Sequence, residues 1–165
     1  MASKLVAEPT FIEADICIIG AGSGGLSVAA GASQMGAKTV LFEKGEMGGD
    51  CLNTGCVPSK ALLAAGKIAH YGKGHKEMGI TGEVSVNFAK VKTHVADVVA
   101  GIAPHDSVER FESLGVTVIS EEARFASAKE VVSQSYRVRA RYFVIATGSS
   151  AFVPPIAGIN KVPYW

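Results

Sequence analysis

One stretch constrains the fold more than any other. Asp15 to Ile19 (DICII) is a short apolar, β-branched run that stops at Gly20. Gly20, Gly22 and Gly25 follow as G-x-G-x-x-G, and an Ala-rich segment from Gly24 to Met35 ends before Gly36. Lys38 to Phe42 (KTVLF) is a second apolar run, with Glu43 behind it. Runs without polar alternation are the mark of strands buried on both faces, as in parallel sheets. Strand, glycine turn, helix and strand make one βαβ unit, whose crossover is expected to be right-handed.

The glycines alone are a weak signal. Placed after a strand, at a helix start, with an acid at the end of the next strand, they meet the context of a dinucleotide-binding turn. Gly20 permits the tight turn, Gly22 lets backbone approach a pyrophosphate, and Gly25 lets helix pack on strand. The N–H groups at the helix start attract the anion. Glu43 lies 18 residues after Gly25, where a carboxylate accepts from ribose hydroxyls; an acid there favours FAD or NAD over NADP. The competing reading is a glycine turn that binds nothing.

Further along, Leu62, Ala65 and Ala69 give an apolar face to a helix expected to begin at Pro58. Tyr71 to Val84 reads as a surface loop. Asn87 is placed to cap a helix whose stripe is Phe88, Val91, Val95, Val98 and Ile102. Asp106 and Glu109 fit a capping box for a short continuation carrying Val108, Phe111 and Leu114, stopped by Gly115. Val116 to Ile119 reads as a third parallel strand. Short runs in 123–145 (EVVS, YRVRA, RYFVIA) have β-meander spacing, and Tyr142 to Ala146 reads as the last buried strand, ending at Thr147-Gly148. The expected class is therefore α/β: a Rossmann-like domain with a parallel sheet plus a small antiparallel meander. Residues 1–14 read as an N-terminal extension, 15–150 as an incomplete cofactor-binding domain, and 151–165, with Pro154, Pro155 and Pro163, as a linker.

Composition narrows the function classes. Lys and Arg number 16 against 15 Asp and Glu, for a net charge of +1, whereas binders of nucleic-acid backbone carry a basic excess. No apolar run approaches the ~20 residues that span a bilayer, and Met1 to Ala14 lacks the apolar core of a secretory signal. Three cysteines are too few for a secreted disulfide scaffold. The expectation is a cytoplasmic protein that binds neither nucleic acid nor membrane.

Cys51 and Cys56 form C-x4-C. Zinc needs two further ligands at close spacing, and His70, His75, His94 and His105 show no such pattern, so each reads as surface or packing. Two cysteines five positions apart can close a small disulfide if a turn joins them, and Gly55 would help. Cys56 just before the expected helix should have a lowered thiol pKa, aided by Lys60 a turn on. The bland alternative is two structural thiols. Cys17, inside the first run, reads as inert core.

The segment Gly48-Gly49-Asp50-Cys51-Leu52-Asn53-Thr54-Gly55-Cys56-Val57-Pro58-Ser59-Lys60 resembles the redox motif of the flavin-dependent pyridine nucleotide–disulfide oxidoreductases, among them dihydrolipoamide dehydrogenase, mercuric reductase and glutathione reductase. The Gly20–Gly25 turn, Glu43 and Ala146-Thr147-Gly148-Ser149 follow the same family order. The resemblance implies FAD as cofactor. Gly20, Gly22, Ser23, Gly24 and Gly25 would cradle its pyrophosphate, and Glu43 with Lys44 would lie at the adenosine ribose. Gly49 and Asp50 would lie along the pyrophosphate and ribityl chain, although many relatives have Thr in place of Asp50. Ala123 would face the adenine; Ala146, Thr147 and Gly148 would pass close to FAD at the last strand. Cys56 would be the charge-transfer thiol, Cys51 the interchange thiol facing substrate, and Lys60 the cation near the flavin. Electrons would run from NAD(P)H through FAD to a Cys51–Cys56 disulfide and on to a disulfide substrate, with lipoamide chemistry in reverse. Pro58-Ser59-Lys60-Ala61-Leu62-Leu63 looks like the dihydrolipoamide dehydrogenase and mercuric reductase branch, and Asp50 with Thr54 like its mercuric-reductase members. The NAD(P)H domain and the dimerisation domain of the family would lie outside this chain, and the whole protein would be a homodimer.

Overall fold

The computed structural model describes residues 8–150 and 152–162. Pro163, Trp165 and the first seven residues, which belong to the expected linker and extension, lie outside the described residues. The elements begin as expected: β1 (Thr10–Ile19), α1 (Ser23–Gln34) and β2 (Thr39–Phe42). Strand β2 is buried throughout, which is why its sequence shows no alternation.

Four strands are parallel: β1, β2, β5 (Thr117–Ile119) and β8 (Tyr136–Ile145). β6 (Arg124–Ser127) and β7 (Glu130–Val132) pair antiparallel and continue the sheet from β8. The order is β5-β2-β1-β8-β7-β6. One face carries Ile18, Leu41, Ala29 of α1 and Phe111 of α5 (Val108–Ser113) in a single core cluster. The other face gathers Cys17, Val40, Phe42 and Ile119 with Val131 and Val138 of the meander.

Several expectations need correction here. β1 starts at Thr10, not Asp15, because it runs on beside Tyr136–Ala140 of β8. The amides of Asp15 and Ile16 both donate to the Lys38 carbonyl (2.9 and 3.3 Å). Ile12 and Ala14 pack against the same cluster as Cys17 and Ile19, so the strand changes face at this bulge. The bulge breaks the sequence pattern where the strand itself continues. In the same way YRVRA and RYFVIA are one strand, β8. Its C-terminal half is less buried than expected: Tyr142 and Ile145 are largely exposed.

The stretch between Glu43 and Val57 holds a short helix, α2 (Gly49–Asn53). Helix α3 (Cys56–Gly72) begins two residues before Pro58, which sits in the first turn where its missing N–H is not needed. Its buried residue is Ala61, while Leu62 is exposed. A two-stranded hairpin, β3 (Gly74–His75) with β4 (Ile80–Thr81), lies in the expected surface loop. The Asn87 side chain caps α4 (Phe88–Ile102) by accepting from the Lys90 amide at 3.1 Å, but the α4 stripe is only half-buried, and Phe88 is exposed. The cap of α5 is Ser107, which accepts from the Arg110 amide at 3.3 Å; Asp106 belongs to the preceding 3-10 turn. Gly115 does end α5, at φ 86°.

Candidate active site

The site forms at the C-terminal ends of β1, β2 and β8, where the chain turns to opposite sides of β1. That is where open α/β sheets bind ligands. Gly20 takes φ 105°, and a Cβ there would stand 2.2 Å from the Ala146 carbonyl oxygen. A Cβ on Gly25 would stand 1.8 Å from the Gly20 carbonyl oxygen. The helix start, the first turn and the end of β8 are thus locked together by close main-chain packing.

Nothing caps the α1 N-terminus from a side chain, and its first turn holds no acid. Its N-cap residue, Gly22, lines a cavity of about 890 Å³. A Cβ on Gly24 would meet nothing within 4 Å. The Glu43 carboxylate reaches across from the end of β2. It accepts from the Ala21 amide at 2.6 Å and from the Gly45 amide at 2.7 Å. Glu43 therefore ties the glycine turn to β2 and keeps lone pairs free for a further donor.

The segment after β2 is docked onto the same turn. The Gly48 amide donates to the Ala21 carbonyl at 2.9 Å, and Gly48 bridges Gly22. A Cβ on Gly49 would lie 2.8 Å from the Gly22 Cα, so the two backbones meet where only glycine fits. This contact carries α2 to the mouth of the cavity. Leu52 is buried beneath it, and the Asn53 side-chain amide donates to the Met47 and Gly49 carbonyls (3.1 and 2.9 Å).

Of the residues singled out in the sequence, Gly20, Gly22, Glu43, Lys44, Gly49, Asp50, Ala123, Ala146, Thr147 and Gly148 line the cavity. Ser23 and Gly24, the first two residues of α1, are not among the lining residues. Gly25 is buried under the turn and fills a packing role. Lys44 pairs with Glu122 at 3.2 Å on the open rim. The lining also includes Glu46, Asn53, Thr54, Glu121 and Glu122, which the sequence reading missed. Glu121 and Glu122 come two and three residues after the end of β5, so the strand-end rule was the signal for them; nothing in the periodicity marks Asn53 as a tie. The Ser133 hydroxyl, with the Ser135 amide at 2.9 Å, holds the Glu121 carboxyl below the usual range. With Lys44 the one basic residue among these carboxylates, the main-chain donors of α1 are what would receive a phosphate.

Cys51 lies on α2 and Cys56 is the first residue of α3; both are free thiols. The side-chain hydrogen bond to Cys56 pushes the Cys51 thiol up, and burial and the charge of Cys56 add to this; the Cys56 amide and the Lys60 ammonium pull it down. Cys51 therefore keeps its proton longer than a free thiol would. Lys60, on α3, acts on the pair through its charge and lies off the cavity lining. Cys17 is fully buried, and desolvation pushes its thiol up to about 12. Among the described residues no group of three or more His, Cys, Asp and Glu side chains is arranged to hold a metal ion.

A measurable consequence follows for the thiols. Replacing Cys56 by Ala removes the main causes that hold the proton on Cys51, while Lys60 remains. The pH profile of Cys51 alkylation by iodoacetamide should move to lower pH, with the rate at pH 8 rising at least about threefold. An unchanged profile would mean that the two thiols do not interact.

Residues 14–164 match the family described as pyridine nucleotide-disulphide oxidoreductase. The chain belongs to that family. Similar members include a mercuric reductase of Lysinibacillus sphaericus, 36% identical over 91% of this chain and 28% of that enzyme. A dihydrolipoyl dehydrogenase of Acholeplasma laidlawii is 36% identical over 90% of this chain and 45% of its own length. One from Bacillus subtilis (strain 168) is 40% identical over 84% and 30%. The chain thus spans less than half of each of these oxidoreductases. A solved structure of the flavoprotein disulfide reductase RclA from Escherichia coli, as a Cu(II) complex, superposes with a TM-score of 0.72 at 23% identity, over 90% of this chain and 31% of that one. It shares the fold. Members of the family use FAD and NAD(P)H, and the glycine cradle with its uncapped helix start fits a dinucleotide. No helix among the described residues is long and apolar enough to cross a membrane.

Proposed function

We propose that this chain is the FAD-binding and thiol-bearing part of a FAD-dependent disulfide oxidoreductase that passes electrons from NAD(P)H to Cys51 and Cys56 and on to a small or protein-bound disulfide substrate. The observation that carries the reading is the docking of α2, which bears Cys51, on the glycine turn, with Gly22, Gly49 and Asp50 lining one cavity and Cys56 opening the next helix. The α1 amides and Gly49 receive the pyrophosphate, Glu43 the adenosine ribose, and Ala123 and Ala146 to Gly148 flank the cofactor. Bound FAD supplies a two-electron relay between a hydride donor and a disulfide.

The thiol chemistry belongs to the chain itself. Cys51, half-buried on α2, attacks one sulfur of a substrate disulfide and releases the other half as a thiol. Cys56 then attacks the Cys51 sulfur, releasing the second substrate thiol and closing the Cys51–Cys56 disulfide. The substrate gains two electrons and two protons, and the pair loses them; restoring the dithiol would take the hydride of NAD(P)H, relayed by bound FAD, and one proton from solvent. Lys60 stabilises the thiolate. Lipoamide chemistry is the same exchange run backwards. The second reading, reduction of a metal ion by the same thiols, is supported by the relatives named mercuric reductase. We place the NAD(P)H-binding and dimerisation parts outside this chain, take residues 151–165 as linker, and assign the whole protein to the cytoplasm as a homodimer, the usual state in the family.

The test is the visible spectrum of the purified chain with FAD, before and after addition of a dithiol. Expected is bound flavin that gains a long-wavelength charge-transfer shoulder on reduction, lost in Cys56→Ser and retained in Cys51→Ser. Flavin that binds with no shoulder would leave a nucleotide-binding module with structural thiols. No flavin uptake, by this chain or by the full-length protein, would overturn the cofactor assignment.

A further inference from the structure

Helix α2 has five residues, too short to hold together by itself, yet it fixes one of the two thiols. Its N-terminal end is tied by Gly48 and by Asn53. At its C-terminal end the ties all converge on Asp50. The Asp50 carbonyl accepts from the Thr54 amide at 3.0 Å and from the Gly55 amide at 2.6 Å. The Asp50 carboxylate accepts from the Thr54 hydroxyl. A Cβ on Gly55 would lie 2.9 Å from the Asp50 Oδ2 and 3.0 Å from its carbonyl oxygen, so the turn is drawn tight against this one residue. Thr54 and Gly55 are the whole link between α2 and the start of α3.

We infer that Asp50 is a positioning residue for the thiol pair: its carboxylate, through Thr54, clamps the turn between Cys51 and Cys56 and holds the two sulfurs at the spacing their disulfide needs. The inference rests on the redox reading above. A loosened link spreads the two sulfurs over more conformations and disfavours ring closure. An acceptor oxygen is what the clamp needs; the charge is incidental.

The experiment measures the thiol–disulfide equilibrium of the cofactor-free chain in glutathione buffers, read by alkylation and mass spectrometry. Asp50→Ala and Thr54→Val are each expected to lower the equilibrium constant for disulfide closure about three- to tenfold, a rise of about 15–30 mV in potential for a two-electron couple. Asp50→Asn keeps an acceptor oxygen and is expected to stay within about twofold of the parent protein. Thr54→Val keeps the main-chain bonds, and unchanged circular dichroism separates a loosened turn from unfolding. If Asp50→Asn matches Asp50→Ala while Thr54→Val matches the parent, the charge acts and the clamp is wrong. If all three variants match the parent, Asp50 has no positioning role. A parent chain that closes no disulfide at all overturns the redox reading and this inference together, so the two failures are distinguishable.

Discussion

Replacing Gly25 by Ala is expected to destabilise the chain by about 3 kcal/mol or more, because the new methyl would stand 1.8 Å from the Gly20 carbonyl oxygen. Neither partner can step aside. Gly20 is held by its amide bond to the Phe42 carbonyl at 2.8 Å, and Ala146 is held by its amide bond to the Ile19 carbonyl at 2.8 Å. For a chain of this size that lowers Tm by roughly 6–12 °C. Gly24→Ala is the matched control. It meets open space, so the fold should survive, while FAD affinity should fall because the methyl is added at the α1 N-terminus, where we propose that the pyrophosphate binds. Thermal unfolding and FAD titration of both variants check this. Equal stability of the two would mean that the turn is not packed as described.

Glu43→Ala should have the second largest effect. It removes a charged acceptor from two main-chain amides, Ala21 and Gly45. Hydrogen bonds to a charged group are worth more than neutral ones; the amide of fully buried Ala21 is left without its acceptor while that of exposed Gly45 turns to water, for a loss of about 1.5–3 kcal/mol. Glu43→Gln keeps one acceptor oxygen and should lose about half as much. Both should weaken FAD binding beyond what the stability loss explains, since the ribose contact we propose for Glu43 would go too. Denaturant unfolding with and without FAD separates the contributions. If Glu43→Ala changes binding but leaves stability intact, the carboxylate serves the ligand alone.

Much of this was legible in local pattern. The βαβ unit was readable because Ile16–Ile19 of β1 and Val40–Phe42 of β2 are uniformly apolar and the glycines stand at their required offsets. Gly36 and Gly115 were readable as stops because a left-handed residue after a helix favours glycine. The meander was readable from short β-branched runs, and the thiol pair from its spacing. The start of β1 was not readable, because a bulge at Asp15 reverses which residues face the core. Helix α2 was not readable either: five residues make little more than one helical turn, too few for a periodic signal, and it exists through Leu52, Asn53 and the bond from Gly48 to the glycine turn. The faces of α3 and α4 were overread, since an amphipathic stripe states that a partner fits and not how far it is covered.

The amino-acid sequence by itself thus determined the fold class, the glycine turn, the acid at the end of β2 and the presence of a paired-thiol motif. Each depends on neighbours within a few residues, or on an offset that helix and strand geometry sets. Only the tertiary structure decided that Gly48 and Gly49 dock on Gly22, that Glu43 is shared between two loops, that Gly25 is closed off by Gly20, and that Asp50 and Thr54 clasp the link between the thiols. Those contacts join segments brought together by the sheet, and their energies depend on distances that no local pattern carries.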